Sequence, residues 1–224
     1  MGIVVGFLCL ICYCVLSAKA VTRRCRWKKA DNVLMKLHKP VSGLLLVTVI
    51  LHIILVIPVW QNRSFLVVVT GIAGVVCMIF LIVLCHRIMD RNRKIYWHRA
   101  LTIIMAICIA GHMVTYLMDF NDYQEKVNGL TFDEIDLHEL KDGLYEGECD
   151  VGYIYARVEV EIKEGRIVAV TLLEHRNERG KAAESILDDV VETQEIDVDT
   201  VSGATNSSKV IKKALEDAIC NAKK

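Results

Sequence analysis

Three stretches of the sequence, residues 41–60, 66–85 and 100–118, run for 19 or 20 residues without an Asp, Glu, Lys or Arg. A helix rises about 1.5 Å per residue and the hydrocarbon core of a bilayer is about 30 Å thick, so each stretch can span a membrane. Residues 2–18 form a fourth and shorter apolar stretch. The sequence therefore predicts four transmembrane helices.

The charged residues divide the chain into two unlike parts. Residues 1–119 contain 14 Lys and Arg against 3 Asp and Glu, whereas residues 120–224 contain 13 against 24. Such a split indicates two units in different solvents, and it excludes a disordered chain, a single soluble domain and a nucleic-acid-binding protein. We expect a transmembrane domain over residues 1–118, a polar connector over 119–141 and a compact domain over 142–224.

The distribution of Lys and Arg also predicts the orientation in the membrane. Residues 23–39 carry seven, residues 86–99 carry five, and the short turn 61–64 carries one. Because positively charged loops stay on the cytoplasmic side, the N-terminus and the whole acidic half are expected to be extracytoplasmic, in a multi-pass protein of the cell membrane. A cleaved signal peptide is the alternative for residues 2–18, but its basic cluster follows the apolar run instead of preceding it.

Four histidines of the apolar half occur in two pairs with the same spacing. His38 and His52 are 14 residues apart, as are His98 and His112. Fourteen residues are close to four helical turns, so both members of a pair share a helix face. Intramembrane ionisable residues are candidates for function, and imidazoles on facing helices suit haem iron. We predict an inner haem b on His38 and His98 and an outer one on His52 and His112, with His86 as an alternative haem or quinone ligand. A histidine that is merely hydrogen-bonded is the competing interpretation of each.

The acidic half has the pattern of an α+β domain. Residues 153–162 alternate between apolar and polar, which predicts a half-buried strand with Tyr153 on its outer face. A turn and a second strand over 166–174 follow, and helices are predicted over 181–194 and 209–222. Cys149 and Cys220 are the two cysteines of this half and are a candidate disulfide.

A loop rich in small and hydroxyl side chains precedes the last predicted helix. Residues 199–208 run Asp-Thr-Val-Ser-Gly-Ala-Thr-Asn-Ser-Ser. The free N–H groups and positive dipole end of a helix N-terminus suit a phosphate group, and a glycine lets a ligand approach the backbone. On the residues alone, a plain helix start capped by Ser207 or Ser208 competes with that interpretation.

The loop sequence Asp-x-x-Ser-Gly-Ala-Thr-x-Ser-Ser resembles the flavinylation motif of the FMN-binding domain. This domain occurs in the C subunit of the sodium-pumping NADH:quinone oxidoreductase and in the G subunit of the Rnf complex. Asp-Gly-Leu-Tyr-Glu-Gly at 142–147 and Lys-Glu-Gly-Arg-Ile at 163–167 match as well. The resemblance implies FMN joined through its phosphate to a hydroxyl of the motif by an extracytoplasmic flavin transferase, at Thr205 or, as second choice, Ser207. The positions that it implies for phosphate lining and recognition are Ser202, Gly203, Ala204 and Asp199, with His175 and residues 179–181 as candidates near the flavin ring.

The run His-Lys-Pro-x-x-Gly-Leu-Leu-Leu at His38, with His52 after it, resembles the flavinylation-associated small membrane cytochromes. More distantly, residues 35–118 resemble the ferric reductase-like transmembrane group. The expected fold is a membrane α-helical bundle of four transmembrane helices plus a small α+β FMN-binding domain.

The expected function is that of an oxidoreductase or electron-transfer component. Electrons would pass between a membrane-side or cytoplasmic-side donor (quinol or redox protein) and the extracytoplasmic FMN through two bis-histidine haems. A haem-free anchor that presents FMN to a larger redox complex and a self-contained extracytoplasmic reductase are the alternatives. Expected partners are membrane lipid, the flavin transferase, and redox proteins or quinone, with no nucleic acid.

Overall fold

The structure is a computed structural model, and it consists of two compact units, Met1–Tyr116 and Leu117–Lys224. It combines a membrane-type helical bundle with a small α+β domain, which confirms the predicted fold class. The residues that the structure describes are 1–86, 90–132 and 140–222, without the side chains of Cys85, His86 and Arg91.

The N-terminal unit is built from helices that are long and apolar enough to cross a membrane. Large apolar side chains such as Phe65 and Ile107 are exposed on them, as expected of surfaces that contact lipid. Within the unit α1 packs along α2, and Tyr13 Oη of α1 donates a hydrogen bond to the Thr102 carbonyl of α4 (2.7 Å). The four helices are α1 (Gly2–Arg24), α2 (Lys28–Val56), α3 (Phe65–His86) and α4 (Arg91–Asn128).

The helices extend beyond the apolar stretches that predict them. α2 begins at Lys28 and contains Pro40, and after Val56 the chain continues as a 3-10 segment with Pro58 in its first turn. α4 continues through the polar residues up to Asn128. Hydropathy marks only the part of a helix that is apolar, because a helix can continue into water on its own hydrogen bonds. The segment predicted as a connector therefore starts as the last turns of α4, and its residues 133–139 lie outside the described residues.

The C-terminal unit contains a three-stranded antiparallel sheet in the order β1-β2-β3. The predicted inner face of the central strand is confirmed, since Ala156, Val158, Val160 and Ile162 are all fully buried. The predicted outer-face position of Tyr153 is wrong, because the residue is buried. It precedes β2, so the alternation of a strand does not apply to it. The strands are β1 (Gly143–Asp150), which the sequence did not predict, β2 (Tyr155–Lys163) and β3 (Arg166–Arg176).

Helix α6 (Thr205–Ala222) covers β1 and β2 and supplies the other half of this core. Its backbone lies directly on β1, because a Cβ added at Gly147 would be 2.1 Å from the Ala218 nitrogen. The predicted inward positions of this helix are all fully buried: Val210, Ile211, Ala214, Leu215, Ala218 and Ile219.

Two helix boundaries differ from the prediction. The segment predicted as one helix over residues 181–194 is a 3-10 segment (Lys181–Ser185) followed by α5 (Ile186–Thr193). α6 begins at Thr205, so the predicted capping by Ser207 or Ser208 is wrong: both residues lie inside the first turns. Helix propensity is a weak preference that tertiary packing overrides, so these small polar residues begin a helix although they resemble a loop in sequence.

Candidate functional site

Thr205 is the first residue of α6, and its side chain is exposed. Asp199, Ser202 and Gly203 of the preceding loop are also exposed, whereas Ala204 is buried. Gly203 has a φ of +80°, a left-handed conformation that favours glycine. The loop thus turns sharply into the helix with Asp199, Ser202 and Thr205 exposed. The N–H groups of the first helical turn have no partner within the helix.

Ser208 holds this loop from beneath. Its Oγ accepts a hydrogen bond from the Val201 N–H (3.1 Å) and donates one to the Ala204 carbonyl (3.2 Å). The Ala204 N–H in turn donates to the Val201 carbonyl (2.9 Å). The side chain of Ser208 is fully buried, so it acts as an internal brace and is not available to a ligand.

Ser207 is buried against the loop that follows β3. Only 2% of the residue is exposed, and its Oγ has no hydrogen-bond partner within the part of the chain that the structure describes. A Cβ added at Gly180 would lie 1.8 Å from this oxygen. The Gly180 N–H donates to Asn177 Oδ1 (2.9 Å), which fixes the glycine in that position.

The side chain of His175, near the end of β3, is also buried. Its side chain is 2% exposed, and its Nδ1 lies 2.9 Å from Glu184 Oε1, to which the ring N–H donates. Its Nε2 is buried without a hydrogen-bond partner among the described residues. Arg179 and Lys181, predicted with His175 to lie near a flavin ring, are exposed.

Two contacts that the sequence does not reveal hold the loop from its sides. The buried Lys212 of α6 donates to Asp197 Oδ1 (2.5 Å) and to the Val198 carbonyl (2.9 Å), just before the motif. Asn206, next to Thr205, donates through Nδ2 to Tyr123 Oη (2.8 Å) at the end of α4. Neither contact follows any local pattern, since the partners lie 15 and 83 residues apart in the chain.

The candidate disulfide is not formed. Cys149 and Cys220 are both free thiols. Cys149 is half-buried between β1 and α6, and this burial raises the pKa of its thiol to about 11. Cys220 is exposed.

In the N-terminal unit the structure brings His38 and His98 together. Their ring centroids are 6.2 Å apart, with the ring planes at 69°. Both rings line a cavity of about 360 Å³ between the four helices, within the size range of ligand pockets. Tyr13, Ser17, Ser42 and Thr102 contribute the hydroxyl groups of its lining.

His52 and His112 occupy matching environments on α2 and α4. The Nδ1 of His52 lies 2.9 Å from the Gly2 carbonyl, and the Nδ1 of His112 lies 3.1 Å from the Val67 carbonyl. Each ring also packs on a glycine of the neighbouring helix: a Cβ at Gly6 would lie 3.1 Å from His52, and one at Gly71 would lie 3.2 Å from His112. In the described part of the chain, ring contact joins His38 to His98 but not His52 to His112.

These histidine pairs are the predicted haem ligands. No group of three or more His, Cys, Asp and Glu side chains among them is arranged to hold a metal ion. The side chain of His86, the predicted alternative ligand, lies outside the described residues.

Comparison with known proteins finds a family that matches part of the C-terminal unit. Over 120 residues the chain is 30% identical to an uncharacterized protein of Treponema pallidum (strain Nichols). This aligned region covers 52% of this chain and 33% of that protein. The chain therefore spans about a third of the length of that relative. No solved structure matches the chain. Residues 152–220 match the family described as FMN-binding domain, which places β2, β3, α5 and the exposed loop of Thr205 inside the match. The C-terminal unit of this chain is therefore similar to the FMN-binding domain over residues 152–220.

Proposed function

We propose that this chain transfers electrons between a donor at the membrane or on its cytoplasmic side and an FMN attached covalently to Thr205. The donor would be a quinol or a redox protein, and two haems b would lie between. The observation that carries the proposal is the exposed hydroxyl of Thr205 at the start of an 18-residue helix in an FMN-binding domain.

The attachment at Thr205 is supported by the difference in access between the two candidate hydroxyls. Thr205 is open to a modifying enzyme, whereas the Ser207 hydroxyl is packed against Gly180. The backbone at Gly203 and the first-turn N–H groups of α6 would surround the phosphate, which the helix dipole stabilises. A bound FMN can accept one or two electrons and so connects one-electron carriers to a two-electron partner.

Denaturing gels test the attachment. The full chain is produced together with an extracytoplasmic flavin transferase, and covalent FMN is detected as a fluorescent band. Thr205→Ala should abolish the band, and Ser207→Ala should retain it, because the buried hydroxyl is not modified. A fluorescent Thr205→Ala chain, or the loss of fluorescence in Ser207→Ala alone, would contradict the proposal.

The residues present fit axial ligation of haem. His38 and His98 would hold the inner haem, since their rings lie with centroids 6.2 Å apart on facing helices. At His52 and His112, backbone carbonyls engage Nδ1, which leaves Nε2 as the nitrogen with a free lone pair. A carbonyl on the second ring nitrogen is the usual support of a metal-ligating histidine. A haem held by two histidines would supply one-electron transfer.

A reduced-minus-oxidised visible spectrum with haem counted per chain tests this part. Two haems b per chain are expected. His38→Ala or His98→Ala should remove the inner haem, and His52→Ala or His112→Ala the outer one, while the covalent FMN band stays. Tyr13→Phe is the matched control, since it alters the lining of the same cavity without removing a nitrogen ligand. A chain without haem would leave the four helices as an anchor for the flavin.

The extracytoplasmic position of the FMN-binding domain rests on the positive charge of the segments around residues 23–39 and 86–99. Cys220 is exposed on α6 and is a native reporter of sidedness. A membrane-impermeant maleimide should modify Cys220 in intact cells, as measured by mass spectrometry of its peptide. Modification only after lysis would place the domain in the cytoplasm.

A further inference from the structure

The last turns of α4, residues 117–128, belong to the C-terminal unit and form part of its core. Val127 is fully buried and Tyr123 is 7% exposed among the core residues of this unit. This segment lies outside residues 152–220, which match the FMN-binding domain. The flavin domain of this chain is thus completed by a piece of its own last membrane helix.

We infer that Tyr123 is a positioning residue for FMN on Thr205: it holds the first turn of α6, which carries the attachment hydroxyl. This inference rests on the proposed function, because it concerns the FMN attached at Thr205. The inference is argued from two contacts of Tyr123, one made by its ring and one by its hydroxyl.

The ring of Tyr123 is fixed by packing. It stacks on Tyr153, with centroids 4.7 Å apart and planes at 14°, and Phe120 lies 6.1 Å from it. Aromatic pairs at such distances are favourable beyond the area that they bury. A phenol ring stacked and buried in this way presents its hydroxyl at a fixed point.

The hydroxyl of Tyr123 reaches the residue next to the attachment site. Its Oη accepts a hydrogen bond from Asn206 Nδ2 (2.8 Å), and Asn206 directly follows Thr205 in the first turn of α6. Asn206 occupies a variable position of the loop motif, so the motif itself does not require this contact. The tether therefore acts one residue away from the phosphate attachment without using a motif side chain.

The other supports of the turn come from within the matched domain. Ser208 braces the loop internally, and Gly180 limits movement at Ser207. Tyr123 adds a support from α4, 83 residues before Asn206 in the sequence. Loss of this support should release the start of α6 while the α6 core, buried further along the helix, stays in place.

The test compares Tyr123→Phe with Tyr153→Phe in the full chain. Both variants keep the stacked rings and remove one hydroxyl, but the Tyr153 hydroxyl donates to Asp119 Oδ2 (3.0 Å) of α4. Hydrogen exchange of the backbone over residues 199–208, followed by mass spectrometry, reports the released turn without any flavin. The net contribution of a hydrogen bond corresponds to roughly a 2- to 13-fold change in such an opening equilibrium.

We expect Tyr123→Phe to raise exchange in residues 199–208 by this factor and to lower the fluorescence anisotropy of attached FMN, with Tyr153→Phe close to wild type. Asn206→Ala should match Tyr123→Phe, and the double variant should add nothing further, because both remove the same bond. Equal effects of the two Tyr→Phe variants, or additive effects of Tyr123→Phe and Asn206→Ala, would overturn the inference. A wild-type chain without covalent FMN would refute the proposed function instead, and the exchange measurement would still decide the tether.

Discussion

Gly180 is the position where a single added methyl group should do most to disturb the candidate flavin site. Its φ of −88° and ψ of 12° are accessible to alanine, so the backbone itself permits Gly180→Ala. The added Cβ would lie 1.8 Å from Ser207 Oγ and 2.5 Å from Ser207 Cβ. Since carbon atoms pack at about 3.5–4 Å, the loop and the first turn of α6 must separate by roughly 1 Å.

Two effects of opposite sign decide the stability of Gly180→Ala. The reduced freedom of the unfolded chain favours alanine by about 0.4–1 kcal/mol at a compatible φ and ψ. Overpacking of a close contact costs about 1–3 kcal/mol. We therefore expect a net loss of about 1–2 kcal/mol in the free energy of unfolding, and a transition lowered by roughly 4–8 °C per kcal/mol in a domain of this size.

Thermal unfolding of the full chain, followed by the anisotropy of FMN fluorescence, measures this loss. Ser207→Gly removes both atoms that the new Cβ would meet, and so provides the control background. In that background the extra cost of Gly180→Ala should disappear, although Ser207→Gly has a cost of its own in helix propensity. Stabilisation by Gly180→Ala, or an equal loss in both backgrounds, would show that the contact between Gly180 and Ser207 does not limit this site.

Two further predictions concern charge at the same domain. Lys212→Met should lower the free energy of unfolding by only about 1 kcal/mol, because its partner Asp197 is exposed. It should also speed hydrogen exchange of the loop before Thr205 more than Asp197→Asn does. Equal exchange in the two variants would argue against Lys212 as the anchor. Because burial raises the pKa of the Cys149 thiol from 9.0 to about 11, the folded state keeps a proton that the unfolded chain loses, so stability should fall as the pH rises between these values. Urea unfolding at several pH values measures this slope, which Cys149→Ser should remove; an unchanged slope in the variant would refute the assignment.

Much of the fold was predictable because the relevant signals are local. Apolar length alone identified the four helices that are long and apolar enough to cross a membrane, and alternation identified the buried face of β2. Strand β1 was missed because only Gly147 among its residues is buried, and glycine carries no hydropathy signal. Tyr153 was misplaced because the predicted strand began two residues before β2.

The sequence motif of the candidate site could be recognised, but the exposure of its individual hydroxyl groups could not be predicted. The motif around Thr205 predicted an FMN-binding domain, and residues 152–220 match that family. Nothing in the motif distinguished an open hydroxyl at Thr205 from a closed one at Ser207, since that difference depends on the distant Gly180. In the same way, histidine spacing gave the pairing of His38 with His98, whereas the glycines beneath the other two rings emerged only with the packed helices.

The sequence by itself determined the four apolar helices and the buried faces of β2 and α6. Its loop motif also predicts Thr205 as the attachment point of a phosphate-bearing cofactor. Periodicity and composition carry that information because they depend on neighbours within one or two turns. The tertiary structure alone decided that the end of α4 enters the flavin domain and that Asn206 meets Tyr123. Contacts of this kind join residues 83 positions apart, and packing selects them by shape and hydrogen-bond geometry, for which no local pattern exists.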